Sequence, residues 1–284
     1  MDKFGFVILH YLAPEMTRRC VDSLLEMPWN LSVAIVDNAS PDGSGALLKS
    51  LYAGREDVTV ISNPSNLGFA RGNNAGYDYL AGRGDCRFIV VMNNDVIIRD
   101  ASFPEKVAAA YSDTGFAVLG PDIVNPGTGV HQSPSHFKAF TVPELEALKA
   151  RYAGYLDHFY WKRFKWNVKK ALSPRAAGKP VPPEKCLGRQ EGAVLHGACY
   201  VFSEVFVSKR EYCFNPSTFM YFEEDILHFE CMRDGLKMIY EPGIQVLHLE
   251  DVSTGAAFRT EGRKDRFKFN EMLKSIDVLL GLME

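Results

Sequence analysis

The spacing of its apolar runs constrains this chain more than any other feature. Phe4–His10, Leu31–Val36, Val58–Ser62 and Arg87–Met92 are short and mostly apolar, with β-branched members in each. That is the pattern of strands buried on both faces of a sheet. The stretches between them have helical character. Pro14 stands where a helix can begin, Cys20, Val21, Leu24 and Leu25 fall at helical spacing, and Pro28 stops the run. Gly45–Tyr52 and Phe69–Leu80 read as two further helices. Strand and helix alternating at this rate predict an α/β unit with a parallel sheet and right-handed crossovers over the first ~120 residues.

Ligands of such sheets bind beyond the carboxyl ends of the strands, and three polar clusters occupy those ends. Asn93-Asn94-Asp95 follows a buried strand, so the Asp95 carboxylate is a hard oxygen ligand suited to Mg²⁺ or Mn²⁺ bridging a diphosphate; it is also ordinary turn chemistry. Asp37 can accept the imide N–H of a pyrimidine, and it can equally cap the following helix. In the run Asn63 to Asn74, glycines allow close backbone approach, the helix start offers N–H groups to phosphate, and Arg71 can neutralise a phosphate charge. Gly72 costs helix stability, which argues that this is more than a strand-to-helix connection.

The second half is less regular. Residues 127–190 hold a helical stretch, Val142–Tyr155, then an aromatic and basic block, Phe159–Lys170, and a proline-rich loop, SPRAAGKPVPP. Beyond it we expect a strand at Ala193–Phe202, a helix at Glu223–Arg233, short strands at Met238–Tyr240 and Val246–Leu249, and an amphipathic helix from Lys264 to Leu282. Glu223, Glu224 and Asp225 open the second of these elements. Their charges suit a helix N-terminus, and their mutual repulsion can raise a pKa and leave one of them a general base. His248 ends an apolar strand, where a histidine is either a hydrogen-bonded turn residue or, in the right company, a ligand.

Taken in order, Val-Asp-Asn-Ala-Ser (36–40), Asn-Leu-Gly-Phe-Ala-Arg-Gly-Asn-Asn (66–74), Asn-Asn-Asp (93–95), His-Gly-Ala-Cys (196–199), Glu-Glu-Asp (223–225) and Val-Leu-His-Leu-Glu-Asp-Val-Ser-Thr (246–254) closely resemble glycosyltransferase family 2, in particular its rhamnosyltransferase-like members of bacterial polysaccharide synthesis. The resemblance runs from residue 4 to about 255, leaving out 130–190. It implies the GT-A fold: a Rossmann-like, mostly parallel central sheet flanked by helices, here with an inserted helical and loop segment and a C-terminal helix. It also implies an inverting, metal-dependent enzyme that takes a UDP- or dTDP-linked sugar to a saccharide or lipid-linked saccharide. Asp37 would then bind the pyrimidine, and Asn66, Gly68 and Arg71 would line the nucleotide and phosphate pocket beside His10, Asn93 and Asn94. Asp95 would bind Mg²⁺ or Mn²⁺ with His248. Asp225 would be the catalytic base, with Glu224 as the alternative one residue away. Two positions depart from the family pattern: Asn93 replaces the first Asp of Asp-x-Asp, and His10 replaces an Asn.

The expected organisation is one catalytic domain over residues 1–255, made of a nucleotide-binding half (1–120), a variable insertion (127–190) and an acceptor and base half (191–255), followed by a helical extension (256–284). The net charge of −3 argues against a nucleic-acid partner. That figure averages over unlike parts, since nine Lys or Arg and one acid lie between Lys149 and Lys179. The aromatic and cationic block within this stretch suits either peripheral contact with a membrane or a lid over the acceptor site. Six scattered cysteines form no C-x-x-C pair and read as reduced thiols. The first apolar run is too short for a signal-peptide core or a membrane span, so a cytoplasmic enzyme is expected, placed at most at the inner face of the membrane. Two rivals follow from the same residues. A sugar nucleotidyltransferase would need a Gly-rich loop after the first strand, which is missing. A catalytically inactive glycan-binding or scaffolding protein is suggested by Asn93.

Overall fold

The four apolar runs form strands β1 (Phe4–His10), β2 (Leu31–Asp37), β3 (Val58–Ser62) and β4 (Phe88–Asn93), arranged β3-β2-β1-β4 and all parallel. The computed structural model describes residues 2–159, 187–249 and 260–284. Three helices make the crossovers: α1 (Pro14–Leu25), α2 (Ser44–Leu51) and α3 (Gly68–Arg83). Burial on both faces explains why the strands read as continuous apolar runs. Phe6, Ile8, Val33 and Ile35 pack with Cys20, Leu24 and Leu48 on one side, while Val7, Val36 and Val91 pack with Ala70, Tyr77 and Leu80 on the other. Each such side chain contributes about 1.5–3 kcal/mol of burial.

Gly72 has a packing reason. A Cβ there would lie 2.6 Å from Leu9 Cδ1, and one on Gly76 would lie 2.5 Å from Val7 Cγ1. The two glycines let α3 sit directly on β1 and β2, and that close approach offsets their helix propensity.

The sheet then continues with a reversal. Helix α4 (Phe103–Thr114) leads into β6 (Val118–Val124), while β8 (Cys199–Ser203) slots between β4 and β6 antiparallel to both. Strand β9 (Met238–His248) runs parallel to β6, and the short β5 (Val96–Ile97) and β7 (Gln190–Glu191) pair antiparallel with β9. The result is one nine-stranded, mostly parallel sheet shared by both halves of the chain. Two expectations need correction. The strand expected over Ala193–Phe202 begins only at Cys199; Val194 and Leu195 are apolar because the loop holding them is buried, with Leu195 over Gly120. The two short strands expected near 238 and 246 are one strand, with a register irregularity opposite Pro121 and Asp122 that absorbs Pro242 and Gly243.

Helix α5 (Val142–Asp157) starts at a Thr141–Glu144 capping box, with Thr141 N–H donating to Glu144 Oε2 at 2.8 Å. After the short α6 (Glu204–Val207) come α7 (Glu223–Arg233) and α8 (Glu261–Met283). Leu145 of α5, Phe222 and Ile226 at the start of α7, and Ile276 and Leu279 of α8 form a separate buried cluster. Phe159 is buried, its ring on Tyr155. The rest of the basic block, the proline-rich loop, Cys186 and the Glu250–Ser253 stretch lie outside the described residues. Cys20, Cys86, Cys199, Cys213 and Cys231 are free thiols. Among the described residues no helix is long and apolar enough to cross a membrane.

Candidate active site

A cleft of about 860 Å³ opens at the carboxyl ends of β1 and β4, where Leu9, Asn93 and Asn94 form its floor with Asn66 beside them. Because β8 runs in reverse, its beginning faces this edge and contributes His196 and Gly197. Glu223, Glu224 and Asp225 line the cleft from the first turn of α7, and Arg151 and Tyr152 of α5 with Phe267 and Met272 of α8 complete the far wall.

Two residues meet at the sheet edge. Val96 of β5 pairs with His248 of β9, and the Leu249 N–H donates to the Asp95 carbonyl at 2.9 Å. This pairing brings His248 Nε2 to 3.2 Å from Asp95 Oδ1. Asp95 Oδ1 is nonetheless buried without a hydrogen bond. The reason lies on the other side of the imidazole, where Nδ1 is 2.9 Å from Gln132 Oε1. An amide oxygen only accepts, so Nδ1 carries a proton; in the neutral imidazole Nε2 then presents a lone pair to Asp95, and in the imidazolium the two make an ion pair. The neutral ring and the carboxylate together are the donor chemistry of a shared divalent cation. Among the described residues no third His, Cys, Asp or Glu joins them. The His196 ring lies edge to face with His248 at 5.9 Å, and burial, then His248, push its pKa down to about 4.

The carboxylates opposite are held by a strained turn. Tyr221 and Phe222 both have positive φ, 74° and 66°, a conformation that costs bulky residues ~1–3 kcal/mol each. It turns the chain so that three successive acids enter the first turn of α7. Glu223 Oε1 accepts from Thr218 Oγ1 at 3.2 Å. Glu224 is half-buried over Gly197, where a Cβ would lie 3.4 Å from its Oε1. Asp225 Oδ1 is buried without a partner. Burial raises all three. Proximity to Glu224 adds to this at its neighbours, lifting Glu223 to about 8 and Asp225 to about 7.

The residues expected to hold the donor divide into two groups. Asn66, Asn93 and Asn94 line the cleft. His10, Asp37, Gly68 and Arg71 are not among its walls, and each is engaged within the protein. His10 is fully buried, with Nδ1 on Thr17 Oγ1 and Nε2 on Ser44 Oγ, both at 2.8 Å, so no ring nitrogen remains for a ligand. Asp37 closes its own turn and does not cap α2: Oδ1 accepts from Ser40 N–H at 3.0 Å, and Oδ2 lies 1.9 Å from where a Gly45 Cβ would be. Gly68 adopts φ +80° and gives way to the Phe219 carbonyl, which accepts the Phe69 N–H at 2.6 Å. Arg71 donates from Nε to the Pro216 carbonyl at 2.7 Å.

The start of α3 is thus occupied by protein where phosphate was expected. Leu67 N–H goes to Asn38 Oδ1 and Gly68 N–H to Asn66 Oδ1. Further along, Asn74 brackets Phe214, donating to its carbonyl at 2.7 Å and accepting its N–H at 3.0 Å, and Tyr77 donates to the Arg210 carbonyl. The helix carrying the Asn-Leu-Gly motif is a cradle for residues 210–219, the segment that delivers the acids of α7. Gln132 and the walls from α5 and α8 went unseen in the sequence. His196 was visible only inside the His-Gly-Ala-Cys signature, without a role.

This architecture defines a class: it is the fold of GT-A glycosyltransferases. TarS 1-349 of S. aureus matches with a TM-score of 0.55 at 11% identity, covering 86% of this chain and 60% of that one. The mannosyltransferase PcManGT from Pyrobaculum calidifontis, solved with GDP-Man and Mn²⁺, matches at 0.54 and 12% identity over 97% of this chain and 73% of the other. GalNAc-T7, solved with UDP, GalNAc and Mn²⁺, matches at 0.54 and 11% identity over 89% and 44%. The chain therefore spans about three fifths of the TarS chain it resembles. No curated protein sequence matches it at a significant level. The model of glycosyl transferase family 2 matches residues 6–174, and the chain belongs to that family.

Proposed function

We propose that the protein is an inverting hexosyl- or deoxyhexosyltransferase acting in cell-surface polysaccharide synthesis. It would move a sugar from a UDP- or dTDP-linked donor to a saccharide or lipid-linked saccharide by a single displacement. One observation carries this reading: a cluster of raised carboxyls lines a cleft whose floor residues Asn93 and Asn94 lead into Asp95, itself buried against His248. That PcManGT and GalNAc-T7 were solved with Mn²⁺ supports a divalent metal here, and that TarS was solved with UDP supports a nucleotide donor.

Asp95 and His248 would hold Mg²⁺ or Mn²⁺, with diphosphate oxygens and water completing the shell; the cation neutralises charge growing on the leaving diphosphate. Glu224 takes the proton from the acceptor hydroxyl as its oxygen attacks the anomeric carbon from the face opposite the leaving group. We prefer Glu224 to Asp225 because Glu224 lies over Gly197, toward the end of β4, and is the less buried of the two. Asp225 holds its proton near neutrality and limits the negative charge around the base. Bond making and breaking occur on opposite faces in one step, so configuration inverts. The apolar and aromatic far wall, with Arg151 as its cation, suits an acceptor that joins sugar faces to an anionic group.

The test is nucleoside diphosphate release from UDP-glucose, UDP-galactose, UDP-GlcNAc and dTDP-rhamnose with Mn²⁺ and a saccharide acceptor panel. Donor binding without any release, in all combinations, would favour an inactive glycan-binding protein and reject the transferase.

A further inference from the structure

His196 lies between the two halves of this chemistry without a part in either. Its neighbour Gly197 faces the Glu224 carboxylate, whose Oε1 would lie 3.4 Å from a Cβ added there. The Ala198 carbonyl accepts the Asn93 N–H at 2.9 Å, which pins the turn to the end of β4. On the other side the imidazole meets the His248 ring, with planes at 66°. With the diphosphate at Asp95 and His248 and the attacking hydroxyl at Glu224, the sugar in transit occupies the space beside His196.

The hydrogen bonding of the ring fixes what it can offer there. Nδ1 accepts the Ala198 N–H at 3.1 Å, so it carries no hydrogen and the proton resides on Nε2. Nε2 has no hydrogen-bond partner among the described residues, and the half-buried side chain lines the cleft. A core histidine would have both nitrogens satisfied, as His10 does. A metal ligand would need a lone pair at Nε2, which the Ala198 contact denies it. What remains is a neutral, directional N–H donor in the cleft, suited to an uncharged hydroxyl.

We propose that His196 is a specificity-determining residue whose Nε2–H donates a hydrogen bond to a hydroxyl of the transferred sugar. This rests on the glycosyltransferase reading and names a feature of its donor: a sugar that keeps a hydroxyl facing the start of β8. A site built to bond a hydroxyl discriminates strongly against analogues that lack it.

The experiment compares wild type with His196→Phe, which keeps a ring without the donor, and His196→Gln, which keeps an N–H at similar reach. Calorimetry with Mn²⁺ measures affinity for the nucleotide sugar that wild type uses best and for its nucleoside diphosphate alone; turnover gives kcat/KM. In His196→Phe the diphosphate should bind within twofold of wild type, which also reports that the variant is folded. Its affinity for the sugar relative to the diphosphate, and its kcat/KM, should each fall about tenfold, the equivalent of one hydrogen bond. His196→Gln should recover part of that loss. The proposal is overturned if His196→Phe leaves the ratio and kcat/KM unchanged, or if it weakens the diphosphate as much as the sugar. A wild-type protein that binds neither UDP, dTDP nor their sugars would overturn the glycosyltransferase reading together with this one, whereas an unchanged ratio in a nucleotide-binding protein sinks this inference alone.

Discussion

His248 Nε2 and Asp95 Oδ1 face each other at 3.2 Å with no hydrogen bond between them. Register fixes the approach, because Val96 and His248 are paired across β5 and β9. With the imidazole neutral and no cation bound the contact is unfavourable, and the first prediction tests this. Asp95→Asn supplies an amide N–H to Nε2, so the metal-free protein should gain about 1 kcal/mol of stability while losing the stabilisation by Mn²⁺ with UDP that wild type shows. Thermal unfolding with and without Mn²⁺ reads both. A variant that is less stable without metal and still responds to Mn²⁺ would remove the shared-cation assignment.

Gln132 fixes the His248 tautomer, and the loop bearing it is tied down by His131 Nδ1, 2.9 Å from Asp122 Oδ1. Partners of this kind typically contribute 10- to 100-fold, as an order of magnitude, to metal affinity. Gln132→Leu should weaken Mn²⁺ binding by roughly that factor, measured by titration calorimetry, with little change in the melting temperature of the metal-free protein.

Glu224→Gln should lower kcat by about 10²–10⁴ with donor affinity preserved. Asp225→Asn should cost less, because it leaves the Glu224 carboxylate in place. Single-turnover assays of the two variants separate these roles, and the reverse ranking would return the base to Asp225.

Asp225 and Glu223 have folded-state pKa values above their ordinary ones, about 7 and about 8, chiefly through burial. Between the unfolded carboxyl values near 4 and these raised values, the folded protein binds more protons than the unfolded one. Their stabilising contribution is thus complete below about pH 4 and disappears as pH rises through 7 and 8. The double substitution Glu223→Gln, Asp225→Asn should flatten the fall in melting temperature between pH 5 and pH 8, following buffers at fixed ionic strength.

Gly76→Ala should destabilise the protein by about 1–3 kcal/mol, the usual cost of overpacking. The new methyl would meet Val7 Cγ1 at 2.5 Å and Val36 Cγ2 at 2.8 Å, both on stiff, β-branched strand residues. Urea denaturation measures the difference. Gly82→Ala on the same helix, with nothing within 4 Å, is the control and should be neutral or stabilising.

What the sequence revealed follows from how each element is buried. β1, β2 and β4 were legible because both faces are covered, so most of their residues had to be apolar; β3, at the edge, is legible from its β-branched Val58, Thr59, Val60 and Ile61. β6 was not, because Gly120-Pro121-Asp122 breaks its apolar run: Gly120 makes room for Leu195, and Asp122 is committed to His131 and Gln245. Asp95, His248, Glu224 and Asp225 stand out from the order of their motifs. That Arg71 donates to the Pro216 carbonyl was not legible, because that partner lies 145 positions away. Gln132 gave no signal, since a lone glutamine in a loop acquires meaning only when β9 brings His248 beside it.

The reversed strand β8 has a consequence for how such a chain diversifies. β6 leaves the sheet at Val124 on the cleft side, and the chain re-enters at Cys199 in the adjacent strand on that same side. Between these neighbouring ends the chain meets the sheet again at β7, which pairs with β9. Helix α5, on the same stretch, supplies Arg151 and Tyr152 to the far wall of the cleft. The parallel half of the sheet can therefore stay constant while this stretch varies and reshapes that wall.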